Sequence, residues 1–155
     1  MKVLFAGSFD PFTVGHLDIV DRALKIFGSV LIGIGYNENK SYNWDIETRQ
    51  KAISSLFAGN SAVSVKTYRG LTIDFARKEG VSAIVRGVRS VLDYEYEKTL
   101  ADVNKEISGI ETLLLLAEPS LSFISSSMVR ELIHNGYDAS KYIAGTFPPL
   151  SSTKH

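Results

Sequence analysis

Three short apolar runs restrict the fold of this chain more than any other feature of its sequence. Residues 30–36 read VLIGIGY, residues 81–85 VSAIV and residues 112–117 TLLLLA. None shows the regular polar alternation of a half-exposed strand: the first two predict strands covered on both faces, and the third a further strand. Such strands need helices above and below them, and helical patterns do lie between the runs. In residues 16–27, Leu17, Val20, Leu24 and Phe27 form one apolar stripe, which Gly28 ends. Residues 46–58 set Ile53, Leu56 and Phe57 on an inner face. Residues 71–79 stop at Gly80, residues 91–106 make a longer, charged helix, and residues 125–135 stop at Gly136. Two more strands are expected over residues 2–6 and, by alternation, 62–68, and a last short helix over 139–144.

Strands alternating with helices imply right-handed crossovers. The expected fold is α/β: a single-domain, Rossmann-like, five-stranded parallel sheet with helices on both faces. The domain covers residues 1–145, and residues 146–155 read as a loose tail. A chain of 155 residues is long enough to bury a core unaided.

Basic and acidic residues number 17 each, which argues against a dedicated nucleic-acid binder. The chain has no cysteine, so thiolate catalysis, disulfides and cysteine-bound zinc are excluded. No apolar segment approaches the roughly 20 residues that span a bilayer. These features predict a cytoplasmic protein with no membrane partner.

In sheets of this kind ligands bind beyond the carboxyl ends of the strands. Small residues, hydroxyls and cations gather there: Gly7, Ser8, Phe9 and residues 13–16 after the first strand, Lys40 after the second, Arg69, Gly70 and Thr72 after the third. Arg86, Gly87 and Arg89 follow the fourth strand, and Ser122 with Ser125, Ser126 and Ser127 the fifth. Glycine lets a backbone approach a phosphate, and helix N-termini offer it N–H groups. The set predicts a polyphosphate site. Neither G-x-G-x-x-G after the first strand nor G-x-x-x-x-G-K-[ST] is present, which disfavours dehydrogenases and P-loop kinases.

Residues 7–16, GSFDPFTVGH, resemble the T-x-G-H signature of the nucleotidylyltransferase superfamily. VRGVRSVLDYEYE (85–97) and SFISSSMVRE (122–131) resemble segments of the bacterial phosphopantetheine adenylyltransferases, and the similarity runs in order from about residue 2 to 145. The resemblance implies adenylyl transfer from ATP to 4'-phosphopantetheine with Mg2+. By the same resemblance coenzyme A is a feedback ligand and the assembly a homohexamer. Helical stretches near Thr72 and over 91–106 are the candidates for its contacts.

The resemblance also implies roles. His16, Lys40 and Arg89 are the expected catalytic residues. Ser8, Lys40, Thr72 and Arg86 would bind phosphopantetheine. Ser8, Phe9, His16, Gly87, Val88, Arg89, Glu97, Leu121, Ser122, Phe123, Ile124, Ser125, Ser126 and Ser127 would bind ATP. The sequence names no metal ligands. Asp10 is read as shaping its loop, Thr13 as a helix cap, and His134 and His155 as bland. Other nucleotidylyltransferases, such as those acting on nicotinate mononucleotide, and a non-catalytic nucleotide binder are the competing readings.

Overall fold

Every strand of the sheet runs parallel, in the order β3-β2-β1-β4-β5. The computed structural model describes residues 1–150. Along the chain these are β1 (Lys2–Gly7), α1 (Val14–Phe27), β2 (Ser29–Gly35), α2 (Ile46–Leu56), β3 (Val63–Tyr68), α3 (Thr72–Glu79), β4 (Ala83–Val88), α4 (Val91–Ser108), β5 (Glu111–Leu116) and α5 (Ser126–His134). Single turns of 3-10 helix cover Pro119–Leu121 and Ser140–Tyr142. The expected α/β, Rossmann-like five-stranded parallel sheet is therefore present.

The apolar runs feed two cores. Val3, Phe5, Ile32, Ile34 and Val85 face α1 and α2, where Val20, Ala23 and Ile53 meet them. Leu4, Ala6, Leu31 and Ile84 point the other way, onto Ile73, Phe75 and Ala76 of α3. Strand residues alternate between faces, so an uninterrupted apolar run supplies both cores at once. The second core is tight: a Cβ on Gly33 would lie 2.9 Å from the Leu4 and Phe75 side chains.

Helix starts depend on caps. The Thr13, Asp45, Ser90 and Ser125 side chains accept from backbone N–H groups in the first turns of α1, α2, α4 and α5. Helix α1 begins at Val14, two residues before the expected start, because Thr13 caps it.

Three expectations need correction. Strand β4 does not end at Val85 but runs on to Val88, pairing Arg86, Gly87 and Val88 with Leu114, Leu115 and Leu116. Ladder hydrogen bonds come from the backbone, so a polar side chain at the sheet's end does not stop pairing. The helix expected over 139–144 is a single 3-10 turn. Residues 147 and 148 are held rather than loose: Trp44 Nε1 donates to the Pro148 carbonyl at 2.8 Å, and the Trp44 and Phe147 rings meet at 5.3 Å. Residues 151–155 of the expected tail lie outside the described residues.

Candidate active site

Strand β1 pairs with β2 on one side and β4 on the other, which makes its carboxyl end the point where strand order reverses. A cavity of about 500 Å3 opens there. The loop after β1, the loop after β2, the end of β4 and the start of α5 wall it.

The loop after β1 turns sharply. Phe9 has φ +52°, the left-handed region, and is the single non-glycine residue there among those described. Its ring folds back over residue 7, where an added Cβ would lie 3.0 Å from it, so a side chain there would press on the Phe9 ring. Gly15 differs. A Cβ there would meet only ordinary contacts, so the space beside it belongs to the cavity it lines.

His16 occupies the third position of α1. In place of the usual Glu or Gln of a capping box, its Nδ1 accepts from the Thr13 N–H at 2.9 Å, while the Thr13 hydroxyl accepts from the His16 N–H. The bond to Nδ1 leaves the ring proton on Nε2. Phe5, Phe9 and Phe12 pack around the ring, with centroids 5.0–6.1 Å away. Burial, together with Arg89 and Arg86, pushes its pKa down to about 3. His16 is therefore a neutral imidazole presenting an Nε2–H donor to a cavity rich in cations.

Those cations are held differently. Arg86 forms a two-pronged pair with Glu97, at 2.8 and 2.7 Å, and also donates to the Ala6 carbonyl. Arg89 Nε donates to Asp93 at 3.0 Å, and Nη1 reaches the Ile124 carbonyl at 3.4 Å. Lys40 has no carboxylate partner among the described residues; its ammonium lies 5.9 Å from the Tyr42 ring centre. Of these three cations, Lys40 is the one whose side chain has no hydrogen-bond partner among the described residues.

At the start of α5 the hydroxyls are engaged: Ser125 caps the helix, Ser126 donates to the Pro11 carbonyl at 2.7 Å, and Ser127 accepts from Arg130 at 3.2 Å. For the Ser126 and Ser127 N–H groups no partner is found among the described residues. The backbone, more than the hydroxyls, is open to an anion.

Of the residues singled out from sequence, Ser8, Phe9, His16, Lys40, Arg86, Gly87, Arg89, Glu97, Leu121, Ile124, Ser125, Ser126 and Ser127 line the cavity. Val88, Ser122, Phe123 and Thr72 do not. Thr72 instead shares a hydrogen bond with the Tyr68 hydroxyl at 2.9 Å, and Phe123 lies exposed against Tyr142. Asp10 shapes its loop, its carboxylate accepting from the Asn43 and Trp44 N–H groups at 2.9 Å.

Arg130, which the sequence reading did not single out, and His134, which it read as bland, also line the cavity. Arg130 bridges the Asp10 carbonyl and Ser127. Helical spacing from Ser126 and Ser127 places both on one face of α5, a signal available in the sequence.

Residues 4–132 match the model of the Cytidylyltransferase-like family. A phosphopantetheine adenylyltransferase of Porphyromonas gingivalis is 54% identical over 93% of this chain and 94% of its own. That of Bacteroides thetaiotaomicron is 48% identical over 92% of this chain and 94% of its own. The chain belongs to the phosphopantetheine adenylyltransferases, within the cytidylyltransferase-like family. Among solved structures, a bifunctional NMN adenylyltransferase/ADP ribose pyrophosphatase from Francisella tularensis, complexed with AMP and a Mn ion, superposes with a TM-score of 0.69 at 20% identity. It aligns with 96% of this chain, which spans 46% of that longer one. A Vibrio parahaemolyticus protein described as a putative nicotinate-nucleotide adenylyltransferase gives a TM-score of 0.65, also at 20% identity, covering 97% of this chain and 88% of its own. At such identities the likeness extends to the fold alone.

Proposed function

We propose that this chain transfers the adenylyl group of ATP to 4'-phosphopantetheine, a step of coenzyme A biosynthesis. The observation that carries the reading is the identity, spread over nearly the whole chain, to relatives of that name. A phosphate oxygen of phosphopantetheine attacks the α-phosphorus of ATP, and the bond from that phosphorus to the β-phosphate bridging oxygen breaks. Dephospho-coenzyme A and pyrophosphate leave. The attacking oxygen is already anionic, so no protein nucleophile is needed.

What the reaction requires is alignment of the reactants and stabilisation of charge on the phosphate oxygens. A neutral His16 meets the second requirement, because its Nε2–H donates to an α-phosphate oxygen and the bond strengthens as charge grows there. Lys40 and Arg86 hold the phosphopantetheine phosphate, Arg89 and the α5 N-terminus the β- and γ-phosphates. Phe9 contributes its N–H.

Among the described residues no three His, Asp or Glu side chains cluster to hold a metal ion. The cavity carboxylates Asp10, Asp93 and Glu97 are each engaged by the protein. A magnesium ion would be carried on the ATP phosphates and water rather than by these side chains, and would supply withdrawal of negative charge from the phosphates.

Helix α4 supports a homohexamer, whose number comes from family resemblance. Leu92, Tyr96, Val103 and Ile107 are all more than 45% exposed along it, a stripe that a second copy of the chain would cover. Coenzyme A contains the phosphopantetheine and adenine portions of both reactants, so feedback binding falls in the same cavity. A cytoplasmic location accords with the absence of cysteine. In addition, no helix among the described residues is long and apolar enough to cross a membrane. Incubation with ATP and, in turn, phosphopantetheine, nicotinate mononucleotide or glycerol phosphate tests the reading. Pyrophosphate should appear only with the first; release with another acceptor and not with phosphopantetheine overturns it.

A further inference from the structure

Arg49 is fully buried, on α2, outside the cavity lining. No carboxylate of the described residues forms an ion pair with it. Its Nε donates to the Trp44 carbonyl at 3.0 Å, and Nη1 to the carbonyls of Ser8 at 2.7 Å and Gly35 at 3.3 Å. The guanidinium stacks on the Tyr42 ring, 4.1 Å from its centre. Asp10 is the foremost carboxylate acting on it, but without direct contact, and a buried cation so placed is costly unless hydrogen bonds to carbonyl groups satisfy it. A helix could be anchored far more simply by an apolar side chain, so the choice of three carbonyls needs a reason.

The Ser8 carbonyl supplies one. It shares a peptide unit with the Phe9 N–H, and in a trans peptide the two point in opposite directions. A guanidinium drawing the carbonyl toward α2 turns the N–H away from α2, toward the side where Ser8 and Phe9 line the cavity. No partner for the Phe9 N–H is found among the described residues. Hydrogen bonding at the carbonyl also polarises the peptide, which makes its N–H a better donor to an anion. The left-handed Phe9 is a conformation that surrounding structure must impose, and Arg49 sits where it can impose it. Through Trp44 and Tyr42 the same guanidinium grips the loop that carries Lys40. Tyr42 in turn accepts from the Asn37 N–H at 3.0 Å, closing the turn around Lys40.

We infer that Arg49 is a positioning residue for adenylyl transfer: from behind the loop it aims and polarises the Phe9 N–H toward the substrate phosphate and ties that loop to the one bearing Lys40. The inference rests on the adenylyl-transfer reading above.

The test follows the Phe9 backbone amide by NMR while ATP is added without acceptor, in wild type and Arg49→Lys, which keeps the charge and loses the fork. In wild type the Phe9 amide should shift further than that of Thr67, on β3 away from the cavity. In Arg49→Lys that response should shrink severalfold, with kcat falling by about tenfold or more and thermal stability measured alongside. A folded variant with wild-type Phe9 response and kcat overturns the inference, and so does lost stability with both unchanged. Should Arg49→Lys fail to fold, Arg49→Gln takes its place and is judged by the same Phe9 response and kcat. A wild-type Phe9 amide that stays still while the Ser126 and Ser127 amides move overturns the idea in either case. Wild-type synthesis of dephospho-coenzyme A is assayed in parallel. Its absence would sink the functional reading, whereas the Phe9 amide judges Arg49 alone.

Discussion

The Arg86 guanidinium and the Glu97 carboxylate meet through two hydrogen bonds, Nε to Oε2 at 2.8 Å and Nη2 to Oε1 at 2.7 Å, across the gap between β4 and α4. Glu97 is 7% exposed, so its charge has little recourse to water. Arg86→Ala should raise KM for phosphopantetheine and also strand that carboxylate, costing roughly 3 kcal/mol or more of stability. Arg86→Ala combined with Glu97→Gln should recover much of the stability and none of the substrate binding. Urea titrations beside steady-state kinetics check both. Equal instability in the single and double variants would show that the pair is not the cause.

His16→Ala should cut kcat on the order of a hundredfold or more, with far less effect on ATP affinity, because the donor is proposed to act chiefly on the transition state. ATP binding by calorimetry and turnover by pyrophosphate release separate the two quantities. Turnover within threefold of wild type would remove His16 from the mechanism.

Acid should destabilise the protein through the same residue. In the native state burial, Arg89 and Arg86 lower the His16 pKa to about 3, while an unfolded histidine takes up its proton near 6.5. Between those values the unfolded chain binds the extra proton. Stability from this source is therefore complete above about pH 6.5 and lost progressively as pH falls toward 3. Denaturant unfolding of wild type and His16→Asn at pH 7, 5.5 and 4.5 should show a shallower acid loss in the variant. In the same way, kcat should carry no inflection from a histidine titrating near 6.5.

Lys40→Ala should weaken phosphopantetheine use with little change in thermal stability, since Lys40 has no carboxylate partner to lose among the described residues. Arg89→Ala should act mainly on ATP. Unphosphorylated pantetheine should be a very poor acceptor. Its efficient adenylylation would mean that the attacking group is not the phosphate.

Light scattering after size exclusion should give six times the 17.1 kDa chain mass. Ile107→Asp, which places a charge in the exposed stripe of α4, should reduce that mass while leaving the monomer folded by circular dichroism. A wild-type monomer at micromolar concentration would refute the hexamer and leave the active site untouched.

Taken alone, the sequence specifies the sheet and its edge of function. Uninterrupted runs such as VLIGIGY could be buried only between two layers of helix, and the residues after each strand had to share one rim, because parallel strands all end on the same side. His16, Lys40, Arg86, Arg89 and the Ser125 to Ser127 run were legible for that reason and by motif. How each is held depends on tertiary structure. The neutral state of His16 depends on burial, to which Phe5 of β1 contributes, and on Arg89 and Arg86, which the end of β4 brings near it. The contrast between a paired Arg86 and an unpaired Lys40 depends on α4 crossing over the end of β4. The guanidinium of Arg49 meets carbonyls of residues 8 and 35, contacts 41 and 14 positions away along the chain. Local pattern can report which face a residue occupies, but burial, protonation and hydrogen-bond partners are set by segments that only folding brings together.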